Sequence, residues 1–104
     1  MNHTFYLVSA DAGIDYDLPS ANTIREWIQA LNEQDGQTGN NVLFESATGG
    51  QFPIPGIPAP RPAMYVSVET SFKKNDLRDQ LLSLIDADES SEYADKFMIV
   101  FDND

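Results

Sequence analysis

The chain has 104 residues, with seventeen acidic side chains against six basic ones, a single histidine and no cysteine. This length predicts one domain, and a formal net charge of −11 disfavours binding to nucleic acid or to an anionic membrane. The lack of cysteine excludes disulfides and thiolate metal sites. The N-terminus shows no signal-peptide pattern. Together these features predict a soluble protein of the cytoplasm.

The first half of the chain predicts a strand, a helix and a short second strand. Residues 4–10 alternate in hydropathy as a strand does, and a helix follows with Ser20 or Asn22 as its N-cap. Residues 41–46 predict the second strand, which the sequence ATGG at 47–50 should end. The apolar stripe of the helix comprises Ile24, Trp27, Ile28 and Leu31.

The second half predicts a strand, a helix and a final strand. Residues 64–72 alternate cleanly, and Asn75 is the expected N-cap of the second helix. Residues 96–102 form a last strand that is apolar on both faces, as expected of a well-covered strand. The apolar stripe of this second helix comprises Leu77, Leu81, Leu84 and Ile85.

The element order β-α-β-β-α-β predicts a ferredoxin-like α+β sandwich. In this fold a four-stranded antiparallel sheet has strand order 4-1-3-2 and carries both helices on one face. The other face is too apolar to stay in water, so we expect a second copy, a partner or the proline-rich loop to cover it. Its predicted residues are Tyr6, Val8, Tyr65, Met98 and Val100.

Five prolines fall between Pro53 and Pro62. Strands two and three are neighbours in the predicted topology, so residues 49–63 are interpreted as a long hairpin loop rather than a linker between domains. Proline stiffens such a loop and lowers the entropy that it loses on ordering. Phe52 and Ile54 either fold back on the sheet or belong to a stiff arm that contacts a partner.

No catalytic constellation emerges from the sequence, so we expect neither an enzyme nor a cofactor. His3 is expected to fray at the N-terminus, which makes a hydrolytic triad implausible. Asp86 and Asp88 begin like a calcium loop, but Ser91 and Phe97 stand where that loop needs glycine and a bidentate acid, so no metal site is predicted. An enzyme with a cleft between two subunits remains an alternative.

Acidic residues concentrate in segments 11–17 and 86–104, which follow the first strand and precede or follow the last one. Because these strands are predicted neighbours, we expect the two segments to gather on one side of the domain. With nearby aromatic and apolar anchors they would form a surface for a basic partner. The candidate partner-binding residues are Asp11, Asp15, Asp17, Asp86, Asp88, Glu89, Glu92, Tyr93, Phe52 and Ile54.

The middle of the chain is mildly basic. Lys73 and Lys74 stand at the predicted start of the second helix, with Arg61 and Arg78 on either side in the sequence. These two lysines either hold a phosphate-sized anion or protect the end of a strand.

Small, acidic, cysteine-free domains without a catalytic constellation resemble, as a physical class, phage anti-defence inhibitors such as anti-CRISPR proteins and immunity proteins against nuclease toxins. The resemblance implies a non-enzymatic inhibitor that occupies the nucleic-acid or functional surface of a basic, nucleic-acid-handling protein. It implies no direct contact with nucleic acid or membrane. The alternative is a ferredoxin-like homodimer, formed through the open sheet face, with a structural or small-ligand-binding role.

Overall fold

Four strands and two helices make up the part of the chain that the structure, a computed structural model, describes: residues 2–11, 13–34 and 41–102. The strands form one antiparallel sheet in the order β2-β3-β1-β4, which confirms the ferredoxin-like α+β fold. No helix in the described ranges is long and apolar enough to cross a bilayer. The elements are β1 (Asn2–Ser9), α1 (Ala21–Gln34), β2 (Val42–Phe52), β3 (Arg61–Thr70), α2 (Lys74–Asp86) and β4 (Phe97–Phe101).

The main core lies between the sheet and the two helices. Alternation along β1 directs Phe5 and Leu7 into this core and turns Tyr6 and Val8 to the opposite face, as predicted. The apolar stripe of each helix meets these strand residues, so burial of the stripes fixes both helices on one face of the sheet. The fully buried helix residues are Ile24, Ile28, Leu31, Leu77, Leu81 and Ile85.

The two helices begin in different ways. Ser20 caps α1, because its Oγ accepts a hydrogen bond from the Thr23 N–H at 3.1 Å. The prediction that Asn75 caps α2 is wrong: this helix begins at Lys74, and Lys73 at the cap position is extended and makes no side-chain cap bond. A tight turn brings the chain into α2 earlier than expected, with Thr70 Oγ1 accepting from the Phe72 N–H at 3.1 Å.

Strand β2 is longer than predicted, because the sequence ATGG does not end it. Gly49 pairs with Met64 and Gly50 with Ala63 in the ladder to β3. A Cβ atom at Gly49 would lie 3.0 Å from Met64 Sδ, so glycine leaves room for this buried side chain. The connection between β2 and β3 is therefore residues 53–60, shorter than the expected 49–63.

The proline-rich loop folds back on the sheet face away from the helices. Ile54 is only 3% exposed and packs with Val8 and Ala63 in a second, smaller core. Gly56 turns the loop with a φ of +83°, a region that glycine adopts without strain, and the Ile57 N–H donates to the Ile54 carbonyl at 3.0 Å. Of the three expected covers for this face, the structure shows the loop.

His3 is not frayed, contrary to expectation. β1 begins at Asn2, and His3 pairs with Val68 in the sheet and is 4% exposed. Its Nε2–H donates to the Phe72 carbonyl at 2.8 Å, and its ring meets Phe101 edge to face. His3 therefore ties the turn before α2 to the first strand, at the end of the sheet opposite to residues 10–17 and 86–96.

Candidate partner-binding site

The first acidic segment lies beside residues 86–96 of the second, where β1 ends and β4 begins. The expectation that all of segment 86–104 gathers there is wrong for Asp102, because β4 carries the chain to the opposite end of the sheet, where the Asp102 N–H donates to the Thr4 carbonyl at 3.3 Å. Residues 103 and 104 lie outside the described residues. Ser9 pairs with Phe97, and the Ala10 N–H donates to the Lys96 carbonyl at 2.8 Å, so the chain leaves β1 beside the chain entering β4. We call this part of the molecule, formed by the described residues of segments 10–17 and 86–96, the acidic end. Its acidic side chains are Asp11, Asp15, Asp17, Asp86, Asp88, Glu89, Glu92 and Asp95.

A cleft of about 190 Å³ opens between the two segments. Asp17 lies on one wall, and Glu92 and Tyr93 lie on the other, so three predicted residues are brought together. Tyr16 and Lys96 complete the lining, with the Lys96 ammonium 5.5 Å from the centre of the Tyr16 ring. The cleft therefore combines carboxylates with two tyrosine rings, and tyrosine is a side chain that is enriched at protein interfaces.

The hydroxyl groups of the two cleft tyrosines are hydrogen-bonded to neighbouring carboxylates. The Tyr16 hydroxyl donates to Asp11 Oδ2 at 2.5 Å, and this bond to a carboxylate raises the pKa of Tyr16 above its usual range. A hydrogen bond to Glu92 likewise raises the pKa of Tyr93. Both phenols thus stay neutral at physiological pH, and the negative charge of the cleft comes from carboxylates alone.

Tyr93 is anchored beneath the surface by other rings. Its ring meets Trp27 edge to face at 5.5 Å and lies 6.1 Å from Phe97. These contacts fix an aromatic side chain whose polar tip remains at the cleft. A rigid aromatic body with one wet end loses little conformational entropy on binding, which suits an interface anchor.

Arg61 fixes the first acidic segment from across the sheet. Its Nη2 donates to Asp15 Oδ1 at 3.0 Å and to the Ile14 carbonyl at 2.9 Å. The Arg61 side chain is 16% exposed whereas that of Asp15 is 54% exposed, so the cation holds the loop from below. Asp15 is therefore partly neutralised, and its first role is to shape the loop.

Hydrogen bonds to its own carboxylates fix the conformation of the second acidic segment. Asp86 Oδ1 accepts a hydrogen bond from the Asp95 N–H at 2.9 Å, which closes the turn; Asp95 itself has a φ of +60°. Asp88 Oδ1 accepts from the Ser90 hydroxyl at 2.6 Å and from its N–H at 3.2 Å. Glu89 is exposed at the tip of this turn and Glu92 is exposed at the cleft, so both carboxylates face solvent.

Phe52 and Ile54 lie outside the cleft. Phe52 is half-buried on the outer sheet face, with its ring 5.6 Å from Tyr6 and 5.9 Å from Tyr65. Ile54 is inserted into the second core, so the folded chain does not present it at the surface. Both side chains hold the proline-rich loop in place.

No group of three or more histidine, aspartate or glutamate side chains in the described ranges is arranged to hold a metal ion. Comparison of the chain with protein-family models, curated proteins and solved structures finds no match in any of the three. The ferredoxin-like fold supports many unrelated activities, so function has to be inferred from the acidic end itself.

Proposed function

We propose that this protein is a non-enzymatic inhibitor that binds a basic, nucleic-acid-handling protein and covers its nucleic-acid surface. The observation that carries the proposal is the acidic end. Its described residues carry eight carboxylates, of which those of Asp17 and Glu92 line the cleft, and Arg61 and Lys96 are the neighbouring cations. Such a surface attracts a cationic partner from a distance and competes with phosphates for the same side chains.

Helix α2 supports a functional rather than a stabilising role for Glu89, because Asp86 and Asp88 already have hydrogen bonds that fix the turn. It ends at Asp86 with no basic residue in its last turn, and Asp88 and Glu89 follow immediately. Acidic groups at this negative end of the helix dipole are unfavourable by about 0.3–1 kcal/mol each where they are close to it. A sequence shaped only for stability would place lysine or arginine there.

The cleft adds aromatic side chains to the charged surface of the acidic end. Carboxylates set the rate and specificity of an encounter, whereas buried aromatic anchors contribute most of the affinity. Tyr93, supported by Trp27, is the best-placed anchor, and Tyr16 lies opposite. Inhibitors of phage anti-defence type, including anti-CRISPR proteins, and immunity proteins against nuclease toxins are the classes that this chemistry suits.

A dimer formed through the outer sheet face has less support. Loop 53–60 already covers part of this face, and Val8 beneath it has no exposed surface. The remaining rings, Tyr6, Tyr65 and Phe52, pack against one another. The acidic end therefore remains the surface on which we base the function.

Affinity capture from a host lysate tests the proposal. The bait is the wild-type chain, the double variant Glu89→Lys/Glu92→Lys, or the control Glu33→Lys/Asp79→Lys, in which the same change of charge falls on exposed helix residues. We expect a basic nucleic-acid-binding protein to be retained by the wild type and the control, and lost by the acidic-end variant. Raising the salt concentration should weaken its retention.

Two results would contradict the proposal. One is a set of captured proteins that is the same for all three baits, because binding would then not depend on the acidic end. The other is capture that persists unchanged at high salt, since an interaction led by exposed charges is screened within about 8 Å at physiological ionic strength.

A further inference from the structure

A second concave surface lies at the opposite end of the sheet from the acidic end. It is a groove of about 750 Å³ between the start of α2 and the edge strand β4. We call it the basic groove. Its lining residues are Lys73, Lys74, Asn75, Asp76, Arg78, Ile99, Val100 and Phe101.

The strand side of the basic groove is an unpaired sheet edge. The Asp102 N–H donates to the Thr4 carbonyl, and the Lys96 carbonyl accepts from Ala10, so even-numbered residues of this strand bond to β1. Backbone groups alternate along an antiparallel ladder, which turns the N–H and C=O of Ile99 and Phe101 outward. Within the described ranges, no strand pairs with this side of β4.

The helix side of the basic groove is cationic although the whole chain is acidic. Among the described residues, Lys73, Lys74 and Arg78 line it together with one acidic residue, Asp76, and the start of α2 adds the positive end of a helix dipole. Arg78 also contacts the neighbouring Asp79, weakly, at 3.4 Å. The Lys74 ammonium lies 5.7 Å from the centre of the Phe101 ring, which places positive charge directly beside the free edge. Dissolved salt screens the repulsion between an acidic ligand and the distant carboxylates of the chain, so the nearby cations determine the charge of the ligand that binds here.

We propose that the basic groove binds an extended acidic peptide, which adds to β4 as a fifth strand. The outward N–H and C=O groups of Ile99 and Phe101 would pair with the peptide backbone, as in other cases of strand addition. Alternate carboxylates of the peptide would then face Lys73, Lys74 and Arg78. The backbone pairing selects a peptide over a nucleic acid, whose phosphates would satisfy only the cations.

This partner differs from the basic protein proposed above, and its site shares no residue with the acidic end. The opposing explanation is that the lysines only protect the free edge from aggregation, a common use of charge beside edge strands. The two explanations differ in one respect: a protective edge excludes an added strand, whereas a binding edge accepts one.

The probe is a fluorescent heptapeptide with blocked termini in which glutamate alternates with valine. We expect saturable binding to the full chain by fluorescence anisotropy. We also expect slower hydrogen exchange at the amides of Ile99 and Phe101 once the peptide is bound, because those N–H groups would become hydrogen-bonded. Saturable binding without this protection would overturn the proposal.

Charge is tested with Lys73→Glu and with Arg25→Glu, a control on α1 with the same change of charge. We expect Lys73→Glu to lower the affinity for the heptapeptide about tenfold, and Arg25→Glu to leave it unchanged within about twofold. An acidic residue at the start of α2 suits the helix dipole, so the first variant should fold. Equal affinities for both variants would contradict the proposal.

Backbone pairing is tested with the same heptapeptide carrying N-methyl groups on alternate residues. Two such peptides are made, one methylated on the odd-numbered and one on the even-numbered residues. Each keeps every charge but loses the N–H donors along one edge. We expect the peptide whose methylated edge faces β4 not to bind. Binding of both N-methylated peptides as tightly as the parent would overturn the proposal. So would tighter binding of a short oligothymidylate, which would assign the basic groove to phosphates.

Discussion

The two ends of α2 follow opposite rules. At its start, Asp76 lies in the first turn, where a negative charge suits the helix dipole. At its finish, Asp86 is the last helical residue, and no basic residue lies in the last turn. The charge of Asp76 thus interacts favourably with the helix dipole, whereas that of Asp86 interacts unfavourably with it, although Asp86 also accepts a hydrogen bond from the Asp95 N–H.

This difference separates charges that maintain the fold from charges that require another explanation. At the acidic end, Arg61 and the turn bonds of Asp86 and Asp88 hold the loops in shape despite the local excess of negative charge. Proteins depart from locally favourable choices chiefly at functional sites. We therefore propose partner binding for Glu89, Glu92 and the cleft, and a scaffolding role for Arg61, Asp86 and Asp88.

The largest change in stability is expected at the proline-rich loop on the outer sheet face. Ile54→Ala should lower the free energy of unfolding by about 2–4 kcal/mol, because it opens a cavity between loop 53–60 and the sheet. Urea denaturation measures this change, and affinity for a captured partner should stay within about twofold while the protein is folded. Unchanged stability with lost binding would make the loop a contact arm and contradict its assignment as scaffold.

Arg61→Gln should lower the free energy of unfolding by about 1 kcal/mol, because its partner Asp15 is half exposed and solvent weakens the pair. Hydrogen exchange should also become faster at the Tyr16 N–H, which bonds to Ser9 Oγ at 3.0 Å in the fixed loop. The control is Arg78→Gln, whose weak contact with Asp79 at 3.4 Å should contribute almost nothing. An equally small effect of both variants would show that Arg61 does not hold the loop.

Single charge changes at the two ends of α2 should have opposite signs. Asp76→Asn removes a favourable charge and should lower the free energy of unfolding by about 0.3–1 kcal/mol. Glu89→Lys should raise it by a few tenths, roughly 0.3 kcal/mol, because a cation suits the negative end of the dipole. Thermal denaturation at low salt measures both changes. Two changes of the same sign would show that the helix dipole does not determine the effect of charge at the two ends of α2.

The smallest expected effect is a dependence of stability on alkaline pH. The Tyr65 hydroxyl donates to Asp102 Oδ2 at 2.6 Å, and this bond raises the pKa of Tyr65 from its usual 10.0. A raised pKa means that the folded state favours the protonated phenol, so the bond contributes fully below pH 10.0 and is lost as pH rises through the higher, folded pKa. Tyr65→Phe should flatten this decline in urea denaturation, whereas an unchanged slope would show that the bond is not responsible.

Most of the fold follows from periodicity in the sequence. Alternation in β1 and β3 and the helical stripes predicted the elements, their order and their faces. The boundaries failed where a tertiary contact overrides a local signal. Gly49 continues the strand because the absence of a Cβ leaves room for the Met64 side chain. His3 is ordered because its ring donates a hydrogen bond to the Phe72 carbonyl.

The candidate site was predictable to the extent that it depends on strand adjacency. Two acidic segments flanking neighbouring strands had to meet, and Asp17, Glu92 and Tyr93 do so. The role of Arg61 was not predictable, because it reaches Asp15 across 46 positions of sequence. Lys96 carried no signal beyond its place at the start of the last strand.

Competition for nucleic acid shows directly whether the acidic end covers the nucleic-acid surface of a basic partner. The basic partner recovered by affinity capture is bound to labelled nucleic acid, and the wild type or Glu89→Lys/Glu92→Lys is titrated in while release is followed by electrophoretic mobility. We expect the wild type to displace the nucleic acid stoichiometrically and the variant to need at least about tenfold more protein. A partner that keeps its nucleic acid while saturated with the wild type would show that the acidic end does not cover the nucleic-acid surface.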